Sequence, residues 1–248
     1  MREIIWKGNQ YTNKESRGGS VPICIVNHIS AGTMGSMDNW FTDPNNTVSS
    51  AHFGVAQDGR IHQYVKIEER AWANGIPVDK IPLSPAPIVR DMNCNPNIYT
   101  VSIEHEGTDG DLTEEQFKSS CWLHRYIMQQ IIDIWGTAMG LGSYNVLGHY
   151  QIDPWRKPDC PGPKFPWDRQ RAELAIAEKM TLQEYEDRLW PPELSWTDKL
   201  KRIESVNNEL NWYMAEVAKG KGQGYADGCM ERYMKLHEVM HDLRYLPK

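Results

Sequence analysis

Runs of alternating, continuous and helically spaced apolar residues succeed one another along the chain, and each change of period marks a new element. VPICIV, residues 21–26, is a continuous β-branched run of the kind a strand buried on both faces requires, and the polar pair Asn27-His28 follows it. A strand is predicted over 21–28, with His28 at its end. In AHFGVAQDGRIHQYV, Asp58-Gly59 separates two alternating stretches. That pair is a strong hairpin signal, so antiparallel strands are predicted at about 51–57 and 60–66. IYTVSIEHEG, residues 98–107, alternates strictly, which puts Ser102, Glu104 and Glu106 on one face and Val101, Ile103 and His105 on the other.

Thr113-Glu114-Glu115-Gln116 has the form of a capping box, and Phe117, Cys121, Met128, Ile131, Ile132 and Trp135 follow at helical spacing before Gly136. An amphipathic helix is predicted there. YNVLGHY reads as a strand running out at Gly148-His149, and the loop QIDPWRKPDCPGPKFPW comes after it. Between Gly75 and Asn97 the chain is rich in Pro and Asn and lacks periodicity, so a long surface loop is expected.

Beyond about residue 165 the pattern becomes wholly helical, with a second capping box at Thr181-Leu182-Gln183-Glu184 and a stop at Pro191-Pro192. Two domains are expected: an α/β domain over 1–178 and a helical region over 179–248. Within the latter, Ile203, Val206, Leu210, Tyr213 and Val217 form one stripe. Met230, Tyr233, Leu236 or His237, Met240 and Leu243 form another after GKGQG. They predict a helical hairpin able to pack on the main domain or on a second copy, as a homo-oligomer contact.

Composition narrows the function classes. Of 248 residues, 40% are hydrophobic and 24% charged, an ordinary globular balance. The net charge of −6 excludes a general basic surface for nucleic acid. The N-terminal MREIIWKGNQ lacks the apolar stretch of a secretory signal, and no run approaches the roughly 18–20 apolar residues of a membrane span. The expectation is a chain made in the cytoplasm with no membrane anchor. Its five cysteines, Cys24, Cys94, Cys121, Cys160 and Cys229, are scattered rather than paired. Cys24 and Cys121 read as buried small hydrophobes, and Cys94 and Cys229 show no role. Cys160 differs, because the polar, proline-rich RKPDCPGP gives a thiol little to pack against.

A catalytic zinc takes three protein ligands from His, Cys or carboxylate and keeps one position open. His28 and His149 both end apolar strands, and Cys160 follows His149 by eleven residues in a loop able to fold back beside it. These three are the candidate metal ligands. His62, His124, His237 and His241 read as structural, and His52 and His105 stand on strands near the proposed site. A metal hydrolase also needs a carboxylate to move a proton, and strand alternation leaves Glu104 and Glu106 equally placed.

Taken together, IVNHIS, AHFGVAQDGRIHQYV, AWANG, VSIEHEG and GHYQIDP with RKPDCPGPKFPW resemble the type 2 N-acetylmuramoyl-L-alanine amidases, the fold shared with peptidoglycan recognition proteins and phage lysozyme-amidases. The resemblance runs collinearly over about residues 20–170. It implies a mixed central β-sheet flanked by helices, with zinc in a surface groove, ligands at His28, His149 and Cys160, and Glu104 as the acid/base. Three positions depart from the family pattern. The family lysine stands two residues before the third ligand, where this chain has Pro158 and offers Lys157 as the oxyanion stabiliser. Ala73 replaces a common histidine, and Asp159 abuts Cys160 as an alternative ligand.

The resemblance implies zinc-dependent hydrolysis of the amide between N-acetylmuramic acid and L-alanine in bacterial peptidoglycan. Absence of a visible export signal suits a phage or prophage endolysin released through a holin-type pore. A cytoplasmic recycling amidase acting on anhydro-muropeptides and a non-catalytic peptidoglycan-recognition protein are the alternatives.

Overall fold

The computed structural model describes residues 2–190 and, further on, Glu204, residues 207–208, 210–212, 214–220 and Met230. Contacts divide the chain into two units, Met1–Trp190 and Pro191–Lys248.

The first unit is built on a six-stranded sheet: β1 (Ile4–Trp6), β3 (Cys24–Ile29), β4 (Phe53–Val55), β5 (Ile61–Gln63), β7 (Thr100–His105) and β8 (Val146–Gly148). Their spatial order is β1-β5-β4-β7-β3-β8, and every neighbouring pair is parallel except the β4/β5 hairpin. This is the mixed α/β sheet the resemblance implied. The hairpin turn closes at Gly59, whose φ of 85° is one that L side chains rarely adopt. A separate ribbon pairs β2 (Lys14–Ser16) with β6 (Glu69–Ala71).

The apolar run of β3 is explained by its position, parallel to β7 on one side and β8 on the other and covered on both faces. Ile25, Val101 and Ile103 point to the 22-residue helix α3 (Glu114–Trp135), meeting Phe117, Cys121, Trp122 and Ile127. Cys24 and Val26 point the other way, against Ile81, Ile88 and Val89. Helix α1 (Met34–Thr42) packs Met34, Met37 and Phe41 on Tyr64 and Val65. Helix α3 starts at a Thr113 cap whose oxygen accepts the Gln116 N–H, and ends at Gly136 with φ 68°, as its sequence signals predict.

Two expectations are corrected here. Residues 75–97 are not a surface loop: they carry a 3-10 turn at Val78–Leu83 and helix α2 (Pro87–Met92), and Ile81, Ile88 and Val89 cover one face of the sheet. The boundary expected after residue 178 also moves. Helix α5 (Trp167–Ala177) and helix α6 (Leu182–Leu189) both pack on α3, with Tyr185 fully buried in the main core, so the first unit extends to Trp190.

In the second unit Glu204, Asn207, Asn208, residues 210–212 and 214–218, and Met230 are helical. Most positions of the two apolar stripes, and with them the expected hairpin and homo-oligomer contact, lie outside the described residues. Among the described residues no helix is long and apolar enough to cross a membrane.

Arg17, absent from the sequence reading, joins the ribbon to the sheet. It is 3% exposed and donates to the carbonyls of Ile67, Asn97, Ile98 and Thr100, with His52 Nε2 also 2.8 Å away. Burial holds the guanidinium down to about 9, and the ring of carbonyls supplies the acceptors a buried cation needs.

Candidate active site

Strand register builds the first half of the site. In the parallel β3/β7 ladder His28 lies opposite Glu104, so both side chains leave the same face at the carboxyl ends of adjacent strands. On the other side of β3, β8 ends at Gly148, and His149 opens the short helix α4 (His149–Ile152). A Cβ on Gly148 would lie 2.8 Å from atoms of Pro161, Trp167 and Tyr150, so only glycine lets the Cys160 loop approach this closely. The Tyr150 N–H bonds the Cys160 carbonyl at 2.9 Å and turns that loop back over the strand ends.

As a result, one ligand atom from each of His28, His149 and Cys160 lies within 4.8 Å of the other two. The His28 and His149 rings meet edge to face at 4.5 Å between centroids. His28 Nδ1 is 3.8 Å from Cys160 Sγ and 3.8 Å from Glu104 Oε1. The other ring nitrogen of His28, Nε2, is 2.8 Å from Asn74 Oδ1. Around this cluster opens a groove of about 580 Å³, with Phe41, Val48 and Trp72 among its apolar lining and Arg156 and Lys157 among its cationic lining.

Burial dominates the electrostatics. It depresses His28 well below the usual imidazole range and brings His149 to about 3, with Lys157 acting in the same direction on both. It also raises the Glu104 carboxyl to about 7, against the opposing pull of Lys157, and Glu104 Oε2 is buried without a hydrogen-bond partner. The Cys160 thiol is pushed up to about 12 by burial, with Glu104 adding to the shift and the Ile29 N–H opposing it. Two neutral imidazoles, a thiol and an unsatisfied carboxylate converge on one point. These donors fit a zinc ion, whose charge would favour the thiolate and neutral-histidine forms.

The structure distinguishes several residues that the sequence left level. Asp159 is exposed beside a separate depression with Tyr150 and Trp167, away from the histidine pair. Strand β7 ends at His105, so alternation no longer governs Glu106, whose Oε2 instead accepts the Gln57 N–H at 2.8 Å. Lys157 lines the groove from its exposed rim, and Ala73 lines it as well.

The remaining histidines divide similarly. His105 faces the opposite side of the sheet, donating from Nδ1 to the His28 carbonyl and lying 2.8 Å from Ser120 Oγ. His52 sits between Arg17 and Ser102. His62 pairs with Asp38, and His124 donates to the Ser120 carbonyl. His237 and His241 lie outside the described residues. Asn74, Asn97 and Arg156 were not singled out from sequence. Asn74 lies within AWANG, but nothing in that motif alone shows what its amide meets.

Residues 18–163, more than half of the chain, match the family model described as N-acetylmuramoyl-L-alanine amidase. The chain belongs to this amidase family. All five candidate site residues fall inside the matched segment. Among curated amidases, the 1,6-anhydro-N-acetylmuramyl-L-alanine amidase AmpD of Salmonella typhimurium (strain LT2) is 33% identical over 129 residues, covering 52% of this chain and 58% of the relative. The AmpD of Escherichia coli (strain K12) is 33% identical over 123 residues, 49% of this chain and 56% of its own length. The chain thus spans a little over half the length of the curated relatives it matches.

Solved structures extend the likeness. A selenomethionine derivative of AmpD superposes with a TM-score of 0.50 at 25% identity, over 69% of this chain and 94% of that one. A mutant endolysin from Bacillus subtilis gives a TM-score of 0.50 at 22% identity, over 70% and 99%, a likeness of fold.

Proposed function

We propose that the protein hydrolyses the amide joining the lactyl group of N-acetylmuramic acid to L-alanine, with zinc held by His28, His149 and Cys160. The observation that carries this reading is the convergence of those three donors within 4.8 Å beside a buried carboxylate at the head of an open groove. Zinc bound there supplies a Lewis acid that polarises the scissile carbonyl and lowers the pKa of water to about 7.

Each chain residue then has a distinct task. Glu104, held beside His28 with Oε2 buried and free of any hydrogen-bond partner, takes a proton from the attacking water and returns it to the departing amine nitrogen. Lys157 brings positive charge to the groove, where it opposes the negative charge developing on the carbonyl oxygen. Phe41, Val48 and Trp72 give the substrate an apolar wall that keeps bulk water from one side of the reacting bond.

The names of the curated relatives favour soluble anhydro-muropeptides as substrate ahead of intact wall. Lysis of host walls by a phage endolysin released through a holin-type pore is the second reading, favoured by the fold likeness to an endolysin. For residues 191–248 the proposal is a wall-binding or self-association module, which would serve that second reading.

The test is to measure zinc content together with release of L-alanyl peptides from soluble muropeptides and from purified walls. Faster turnover of the soluble substrate supports the first reading, and faster turnover of walls supports the second. A zinc-loaded protein that binds muropeptide and cleaves neither substrate is a recognition protein, and the hydrolytic reading falls.

A further inference from the structure

We infer that Asn74 is a positioning residue which fixes the His28 tautomer, so that Nδ1 presents its lone pair to the metal position. The inference rests on the zinc reading above and extends it to a residue outside the ligand set.

A line of hydrogen bonds runs to His28, its direction set at one end by a group that can only accept. The Pro96 carbonyl lies 2.7 Å from Thr100 Oγ1, so the threonine hydroxyl must donate to it. With its proton committed there, Thr100 Oγ1 accepts, and Asn74 Nδ2 donates to it at 2.9 Å. The amide nitrogen of Asn74 is thereby placed toward Thr100 and its oxygen toward His28, where Oδ1 and Nε2 are 2.8 Å apart. An amide oxygen only accepts, so His28 carries its proton on Nε2. The lone pair of Nδ1 then faces Cys160 Sγ and Glu104 Oε1, both 3.8 Å away.

Each member of this line is held in place. Asn74 and Thr100 are each 1% exposed, so water does not compete for their bonds. Asn97 Oδ1 accepts the N–H groups of both Ala73 and Asn74, at 3.2 and 2.6 Å, and fixes the backbone from which the amide projects. Thr100 and Glu104 stand on one strand and His28 on its neighbour, so a two-strand ladder sets the spacing. Without an acceptor at Nε2, the ring could carry its proton on Nδ1, and binding a cation would first require moving it. Outer partners of metal-bound histidines act in this way, and losing one typically costs about 10–100-fold in metal affinity.

The experiment uses the full chain and two readouts. In metal-free protein, long-range 1H–15N correlation of the His28 ring reads the tautomer directly. In parallel, zinc affinity is measured by competition with a chromophoric chelator for wild type, Asn74→Leu, Asn74→Asp and Thr100→Val, with circular dichroism confirming the fold of each. The expected result is an Nε2–H tautomer in wild type, with zinc binding weakened about 10–100-fold by Asn74→Leu. Asn74→Asp, which keeps an acceptor, retains wild-type affinity within a few fold, and Thr100→Val, which frees the amide to flip, falls between them.

An Nδ1–H tautomer in metal-free wild type overturns the inference, as does a folded Asn74→Leu that binds zinc as tightly as wild type. If wild type shows the Nε2–H tautomer but takes up no zinc, the metal reading itself fails, and the role of Asn74 toward a metal fails with it.

Discussion

Replacing Glu104 by glutamine tests the chemistry and the electrostatics of the site in one variant. Glutamine keeps the side-chain shape but accepts no proton, so the positioned acid/base disappears while the groove keeps its form. General acid–base groups contribute about 10²–10⁴-fold, or roughly 3–5 kcal/mol of barrier, and kcat on a soluble muropeptide should fall by that amount with zinc content unchanged.

Stability supplies an independent number for the same residue. Burial raises the Glu104 carboxyl from 4.5 to about 7 in the folded, metal-free protein. Between those values the folded state holds a proton that the unfolded state releases, so this group's contribution to stability is lost as pH rises from about 4.5 to 7. At about 1.36 kcal/mol per pKa unit, a rise of roughly 2.5 units corresponds to about 3 kcal/mol. The side chain is 16% exposed to the groove, which reduces this to about 2–3 kcal/mol.

Metal-free Glu104→Gln should therefore gain about 2–3 kcal/mol on wild type between pH 4 and pH 8 in urea unfolding. Glu106→Gln is the control, because that side chain is engaged with the Gln57 N–H. A stability gap that stays flat with pH, or a Glu106→Gln variant more damaged in kcat than Glu104→Gln, would refute the assignment.

Three further outcomes follow from the same geometry. His28→Ala and His149→Ala should each abolish stoichiometric zinc and activity, as should Cys160→Ala, whereas Asp159→Asn should keep both; metal analysis of the purified variants decides. Gly148→Ala forces a Cβ to within 2.8 Å of Pro161, Trp167 and Tyr150, so it should destabilise the fold by about 1–3 kcal/mol in urea titration and loosen the Cys160 loop. A chain ending at residue 180 loses the buried Tyr185 and Leu189 and should unfold at lower urea by about 3–5 kcal/mol or fail to fold, whereas one ending at Trp190 keeps that core; paired unfolding curves compare them.

The legible parts of the fold were those written in local pattern. Asp58-Gly59 gave the hairpin, and the continuous run at 21–26 gave a strand covered on both faces. His28 and His149 could be placed at strand ends because a polar residue directly after an apolar run is where such a strand meets solvent. What escaped depends on partners far away in the chain. Ile81, Ile88 and Val89 are too few and too interrupted by proline to show a period, yet the sheet face they cover makes residues 75–97 a layer rather than a loop. Strands β1 and β2 are three residues each and, unlike the equally short β4 and β5, lie in no longer alternating stretch around an Asp-Gly turn. Tyr185 and Leu189 looked like part of the helical tail because nothing in their own stretch records that α3 has an apolar face left to cover. Asn74 and Arg17 are polar residues whose roles are set wholly by which atoms the fold brings to them.

The carbonyls that surround Arg17 also constrain when this chain can fold during synthesis. The acceptors lie 50 to 83 residues further along, so the guanidinium leaves the ribosome well before they exist. At about 5–20 residues per second, the longest of these gaps amounts to roughly 4–17 s of translation. Until then the N-terminal segment has an incomplete set of acceptors for its cation, starting with the Ile67 carbonyl and ending with that of Thr100. The full set of acceptors is complete only once the strand that carries Thr100 has emerged, so the start of the chain is secured no earlier than that strand. Slow codons before that strand, or in the stretch whose synthesis pushes it out of the ribosome, would prolong the unpaired life of Arg17.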